Sequence, residues 1–173
     1  MPVTKSELER MLREIERIAR QLEKYKRVPS LMVTPGNLMY FVRRERDLLD
    51  IVKAPEGLER LHREISMVLQ DARRMLTATR RYNACVDMLK RAGVKLVVFQ
   101  PATPHEKWCA QNVEDLLLSW RPIRCFDSKY ELEEHLKKEP VHKDEIAWCV
   151  WDSLFKVLEC EHKNRRLTCQ LGA

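Results

Sequence analysis

Four side chains of types that bind ligands or take part in catalysis, Gln100, His105, Cys109 and Asp127, fall near the predicted ends of two strands. His105 and Cys109 are four residues apart, so a helix would place them on one face, as a Cys–His nucleophile or half of a metal site requires. Such a nucleophile also needs an orienting group and an oxyanion hole, and zinc sites commonly use a CxxC pair, which this sequence lacks. The pattern therefore marks a candidate pocket but predicts no catalytic residue, cofactor or metal.

The segment around these residues predicts a strand-to-helix corner, a place where ligands gather in α/β proteins. The apolar run Val94–Phe99 is typical of a strand buried on both faces. The next letters, TPHE, have the pattern of a helix cap, with proline at the first helical position, and predict a helix from Thr103 to about Trp120. The corner lacks the glycines of a phosphate-binding loop, which makes a nucleotide site there a weak hypothesis.

The cysteines leave several alternatives open. Across a C-terminal hairpin, Cys160 and Cys169 could face each other as two buried thiols or as a disulfide, and Cys149 and His162 could add metal ligands at irregular spacing. Packed thiols are the favoured interpretation, because a reduced cysteine commonly behaves as a small buried apolar residue. Six cysteines in a long, helix-rich chain do not resemble the disulfide framework of a small secreted domain.

The N-terminal residues, MPVTKSELERMLREIERIAR, lack the apolar segment of a signal peptide. No apolar run approaches the roughly 20 residues that span a bilayer. We therefore expect an intracellular protein in a reducing compartment, most simply the cytoplasm, with no membrane partner.

The residues before the corner have the patterns of helices, two of which begin with a recognisable cap. Thr4 and Glu7 form a capping box, and Thr34 precedes Pro35 at a first helical position. Apolar residues of the first helix alternate at intervals of three and four, as in a coiled coil. Nearly every arginine on this helix has a glutamate within one turn, so we expect its outer face to be paired internally.

A third helix, predicted from Pro55 to Ala92, carries the longest apolar seam of the chain, and Gly93 comes directly after it where a left-handed cap is expected. The two preceding helices, in tandem and antiparallel to it, could cover this seam, and so could a second chain in a homodimer through residues 58–89. The seam comprises Leu58, Leu61, Ile65, Val68, Ala72, Met75, Thr79, Tyr82, Val86 and Leu89.

Basic residues are unevenly distributed along the chain. Residues 1–93 contain 20 Lys and Arg against 13 Asp and Glu, whereas residues 94–173 contain 12 against 13. On the third helix, Arg73, Arg74, Arg80 and Arg81 point away from the seam, and only Asp71 is placed to pair, with Arg74. Unless it is an ordinary solvated face, this is a binding surface for an acidic protein or for the phosphates of nucleic acid.

The C-terminal half has the pattern of a small βαβα module. After the first strand and helix, residues 122–128 indicate a second strand and residues 128–138 a helix capped by Ser128, so parallel pairing with a right-handed crossover is expected. Residues 145–155 fit either a strand or the start of a helix. Two alternating runs around the letters HKNR favour a C-terminal hairpin.

These elements predict an α+β fold. An N-terminal antiparallel bundle or coiled coil of long helices is expected over residues 1–93, and a small βαβα module with a C-terminal hairpin is expected over residues 94–173. All four tryptophans and five of the six cysteines lie after this border, which favours two parts with different roles.

The favoured functional hypothesis is a non-enzymatic assembly or adaptor protein, a subunit of a larger complex that binds an acidic protein partner through its bundle and its arginine surface. A ribonucleoprotein component that binds RNA or other nucleic acid is the alternative. Only Tyr82 lies near the arginines as a stacking aromatic, and it belongs to the seam, which favours the protein partner. A small α/β enzyme with a site near His105 is the third hypothesis.

Overall fold

The computed structural model describes residues 2–28, 34–118, 123–152 and 157–170. Within them the protein is a mixed α and β structure with four α-helices, two short 3-10 helices (Val113–Asp115 and Lys143–Glu145) and one six-stranded mixed sheet. The helices are α1 (Lys5–Leu22), α2 (Pro35–Ile51), α3 (Pro55–Arg91) and α4 (Lys129–Leu136). The strands are β1 (Leu96–Gln100), β2 (Trp108–Asn112), β3 (Arg124–Phe126), β4 (Ile146–Asp152), β5 (Val157–His162) and β6 (Arg165–Gln170).

The chain forms two compact units, an N-terminal unit (Met1–Thr79) and a C-terminal unit (Arg80–Ala173). The division falls within α3, whereas the sequence suggested a change of character at residue 93. The cause is packing, because Cys85, Val86 and Leu89 at the end of α3 are buried in the same core as the strands. A long helical region precedes all strands of the described chain, as predicted.

The helix caps predicted at Thr4 and Thr34 are present. The backbone N–H of Glu7 donates to Thr4 Oγ1 at 3.1 Å, and that of Asn37 donates to Thr34 Oγ1 at 3.2 Å. Gly93 has a φ of +83°, the left-handed conformation that a C-cap requires and that glycine adopts without a steric cost. These caps define the helix ends locally.

The seam of α3 is buried within the chain. All ten of its predicted residues are buried or half-buried. Its N-terminal part packs with residues of α1 and α2 in one core. α1 and α2 lie side by side rather than in tandem, since Arg46 of α2 contacts both Glu9 and Glu16 of α1. A homodimer through residues 58–89 would therefore require these side chains to leave the cores that already cover them.

The sheet does not have the βαβα topology expected from the sequence. Its strand order is β3-β2-β1-β4-β5-β6, and of its five pairings only that of β1 with β4 is parallel. The next element after β1 is an antiparallel neighbour instead of a crossover helix, with Val98 opposite Ala110. α4 lies later in the chain and packs against β2 and β3.

The predicted helix from Thr103 to Trp120 is wrong over the residues that the structure describes. The capping signal forms only a turn, in which Glu106 N–H donates to the carbonyl of Thr103 and Glu106 Oε2 accepts from Ala102 N–H. From Trp108 to Asn112 the chain is extended, because strand β2 pairs with β1 on one side and β3 on the other. A cap specifies one turn, and strand pairing decides the conformation of the residues after that turn. Trp120 itself lies outside the described residues.

The C-terminal hairpin is confirmed, and β4 settles the ambiguous segment as a strand up to Asp152. β5 and β6 pair through a two-residue turn at Lys163 and Asn164, whose φ values are +48° and +64°. Positive φ at both positions is the geometry of a type I′ hairpin turn, which matches the twist of the strands. The remainder of the ambiguous segment, residues 153–155, lies outside the described residues.

One ionisable side chain of α2 occupies a core position of the N-terminal unit. Glu45 is 1% exposed, and its carboxyl oxygens accept no hydrogen bond from an N–H or O–H group of the described residues. Burial raises the pKa of Glu45 above its ordinary value, and the negative charge of Glu64 on α3 raises it further, while Arg44 acts in the opposite direction. A hydrogen bond between the carboxyls of Glu45 and Glu64 forms only when one of them carries a proton, which also raises the pKa of Glu45.

We expect Glu45→Gln to stabilise the protein at neutral pH. A carboxyl whose folded-state pKa is raised binds its proton more tightly in the folded state, so stability falls as pH rises above the ordinary value of 4.5. A neutral amide avoids this loss, so the free energy of unfolding of the variant should exceed that of the wild type by about 1 to 3 kcal/mol at pH 7. The difference should vanish below pH 4.5, where the wild-type carboxyl is protonated. Urea unfolding of wild type and variant across pH measures this.

Asp47→Asn, which neutralises an exposed carboxyl on the same helix, is the matched control. A Glu45→Gln variant less stable than wild type at pH 7, or a difference that does not change with pH, would contradict the prediction.

Candidate functional site

The arginine surface predicted on α3 is not a single row of unpaired cations. Arg73 and Arg74 belong to the N-terminal unit, and Arg80 and Arg81 belong to the C-terminal unit. Arg73 donates from Nε and Nη2 to the two carboxylate oxygens of Glu14 on α1, each at 2.9 Å. The expectation that only Arg74 has an acid placed to pair with it is therefore wrong.

The remaining three arginines of that surface differ in environment. Arg81 is half-buried and interacts within the chain. Arg74 and Arg80 are exposed. Arg73 is exposed as well but is engaged by Glu14, so two exposed guanidinium groups without an ion pair among the described residues remain, one in each unit.

A stronger basic surface lies on α1. Arg10, Arg13 and Arg17 are exposed and recur at intervals of three and four residues. They therefore lie along one side of the helix and span about 10.5 Å along its axis. Among the residues that the structure describes, none of the three forms an ion pair. We call these three residues the α1 arginine row.

Three of the glutamates beside the row are engaged by other arginines. Glu9 accepts from Arg46 Nε at 3.0 Å, and Glu16 accepts from Arg46 Nη2 at 2.9 Å and from Arg20 at 2.6 Å. Glu14 is held by Arg73. Glu9, Glu14 and Glu16 therefore pair with arginines of other helices. The internal pairing expected for the first helix forms between Glu16 and Arg20 but does not extend to the three arginines.

A cleft of about 760 Å³ runs between α1 and α3 in the N-terminal unit, beside this row. Its apolar lining is Met11 and Leu69. Its acidic lining is Glu7 and Glu14. The basic lining comprises the whole α1 arginine row, Arg73 and His62. Because Arg73 offsets Glu14, the cleft retains an excess of positive charge.

Sequence reasoning missed the α1 arginine row. The intervals of three and four among Arg10, Arg13 and Arg17 were visible, but each lay near a glutamate in sequence. The fact that Arg46, some 30 residues away, takes two of those glutamates depends on how α2 packs against α1. Local pairing rules carry no information on such competition.

The strand-to-helix corner does not assemble as predicted. Gln100 ends β1, and His105 is exposed in the loop before β2. Cys109 lies in β2, not on a helix face with His105. Its sulfur is bonded to Cys125, so it has no thiol for nucleophilic attack in this state. Asp127 forms a surface ion pair with Lys107 at 3.3 Å.

Two disulfides join neighbouring strands of the sheet. Cys109–Cys125 links β2 to β3, and Cys149–Cys160 links β4 to β5, each between residues directly opposite in register. The expectation of packed thiols is wrong for these four residues, and Cys160 bonds to Cys149 rather than to Cys169.

The other two cysteines, Cys85 of α3 and Cys169 of β6, are buried thiols in one core. A hydrogen bond between them, together with burial, raises the pKa of Cys85. Among the described residues, no three His, Cys, Asp or Glu side chains are grouped so that they could hold a metal ion.

The disulfides bear on the compartment of the protein. Disulfides form and persist mainly in oxidising environments, so they go against the predicted reducing, cytoplasmic location. Of the helices in the described ranges, none combines the length and the apolar character needed to cross a membrane.

No protein-family description, curated protein or solved structure matches this chain.

The disulfide assignment predicts the number of reactive thiols. Protein purified without reductant and unfolded in denaturant should react with iodoacetamide at two cysteines, Cys85 and Cys169, and at all six after reduction. Mass spectrometry of the alkylated peptides measures this. Cys85→Ser should leave one thiol before reduction. Six reactive cysteines in the unreduced wild type would show that the disulfides do not form.

Proposed function

We propose that this protein is a non-enzymatic assembly subunit or adaptor that binds an acidic protein partner through the α1 arginine row. The observation that carries the proposal is that the three arginines of the row are exposed and form no ion pair among the described residues. Three of the glutamates near them are engaged by other arginines. A partner carboxylate that pairs with an arginine of the row therefore breaks no ion pair within the described chain.

Arginine suits this role for two physical reasons. Its planar guanidinium donates two parallel hydrogen bonds to a carboxylate and is more weakly hydrated than an ammonium group, so it loses less on entering an interface. The N-terminal unit also carries 16 Lys and Arg against 12 Asp and Glu, so its field attracts an acidic partner before contact. Arg74 on the same unit is exposed and is a candidate for a further contact.

Nucleic acid is the alternative partner, since guanidinium groups bind phosphates equally well and the net charge is +6. Single-stranded nucleic acid is usually held by stacking on exposed aromatic rings as well as by cations. Tyr82 packs against the core of the C-terminal unit, and its burial raises the pKa of the phenol. It is therefore poorly placed to stack with a base, which favours the protein partner.

Reversing the charge of the row should weaken partner binding. We expect Arg10→Glu, Arg13→Glu and Arg17→Glu together to weaken binding about 10- to 100-fold, because each lost exposed pair contributes a few tenths to 1 kcal/mol and each new glutamate repels the partner. Chemical cross-linking of tagged protein in native extract, combined with mass spectrometry, identifies the partner, and titration with the purified partner measures affinity.

The matched control reverses three exposed arginines outside the cleft lining, Arg43, Arg60 and Arg63. It has the same change in net charge and should bind nearly as wild type. If both triple variants lose binding equally, only net charge matters and the row is not the binding surface. Recovery of RNA, with binding that weakens steeply with salt, would replace the proposal by the nucleic-acid alternative.

A further inference from the structure

The cleft between α1 and α3 combines two properties that a purely electrostatic surface would not need. It is concave, with Met11 and Leu69 in its lining, and it is bordered by the α1 arginine row. Leu69 is 5% exposed and Met11 is half-buried, so the apolar part is recessed behind the charges. Recessed apolar surface with a charged border is the usual arrangement of a groove that holds a peptide segment.

We infer that this cleft binds an acidic amphipathic segment of the partner, one whose apolar side chains enter the cleft while its carboxylates pair with the bordering arginines. The inference rests on the proposed function and specifies the chemistry of its partner. Met11 suits such contact because its unbranched, polarisable side chain adapts to different apolar surfaces. The Arg73–Glu14 ion pair joins the two helices that line the cleft.

Charge within the cleft selects discrete carboxylates over a continuous polyanion. Glu7 and Glu14 line the same cleft as the arginines. A chain of phosphates carries one charge on every unit and would meet these carboxylates, and juxtaposed like charges reduce affinity. A peptide can place its carboxylates at Arg10 and Arg17 and an uncharged residue opposite Glu7.

The dimensions fit a short segment. The lining residues of α1, from Glu7 to Arg17, extend about 15 Å along the helix. This is the length of about three turns of a bound helix or of four to five residues of an extended strand. A volume of about 760 Å³ lies within the range of pockets that enclose a ligand of a few side chains.

Two synthetic peptides of equal length and charge test the inference. One repeats glutamate with leucine at intervals of three and four, and the other has serine at each leucine position. We expect the leucine peptide to bind the full-length protein about tenfold more tightly in fluorescence anisotropy, which corresponds to the burial of part of one or two leucine side chains. Met11→Gln should reduce this preference to about twofold and leave the serine peptide unaffected.

Met67→Gln is the matched control, because Met67 is 67% exposed on α3 and does not line the cleft. It should retain the tenfold preference. Circular dichroism confirms that both variants fold. Should Met11→Gln fail to fold, Met11→Leu serves instead, since it keeps the apolar surface and should keep the preference, whereas Arg17→Glu should weaken both peptides.

The outcomes separate the inference from the proposed function. The inference is overturned if the two peptides bind with equal affinity, or if Met11→Gln and Met67→Gln have equal effects. In either case, binding that depends on the α1 arginine row still supports the proposal of an acidic partner. If neither peptide binds at low salt, the inference and the proposed function are both contradicted. If single-stranded RNA binds through the row and neither peptide does, the nucleic-acid alternative holds and the cleft is not a peptide site.

Discussion

The apolar stripe of α3 cannot be buried by α3 itself, and covering it determines where the other elements of both units pack. Each buried aliphatic side chain contributes about 1.5 to 3 kcal/mol, so leaving the whole stripe exposed would cost more than the net stability of a typical domain. Leu61, Ile65 and Met75 are covered in the core of the N-terminal unit. Val86 and Leu89 are covered in the core of the C-terminal unit.

Packing on this stripe decides the charge pattern of the surface. α1 turns its apolar residues, Leu8, Leu12 and Ile15 among them, into the core. Its arginine row is exposed as a result. The same packing places Arg46 and Arg73 within reach of the glutamates of α1, and a carboxylate engaged by two or more guanidinium donors is less available to other cations. The basic surface of the protein thus results from hydrophobic burial combined with competition for a few carboxylates.

Much of the fold could be predicted from the sequence, but little of the candidate site. Thr4, Thr34 and Ser128 cap helices as their local patterns indicated, and Gly93 ends α3. The turn between β5 and β6 was predicted from the residues HKNR between two alternating runs. The unpaired arginines of α1 could not be predicted, because each has a glutamate within one turn in sequence. Three of those glutamates are engaged in the folded chain by Arg46 of α2 and Arg73 of α3.

The sequence by itself determined the features that are set within a few residues of each position: helix caps, the periodic seam of α3, the buried strand β1 and the terminal turn. Only the tertiary structure decided the strand β2, the disulfide partners and the unpaired α1 arginine row. Cys149 meets Cys160, and Arg73 meets Glu14, because folding brings distant segments side by side. A local pattern states which conformation a segment favours, but the partners available in the folded chain determine which favoured contact forms.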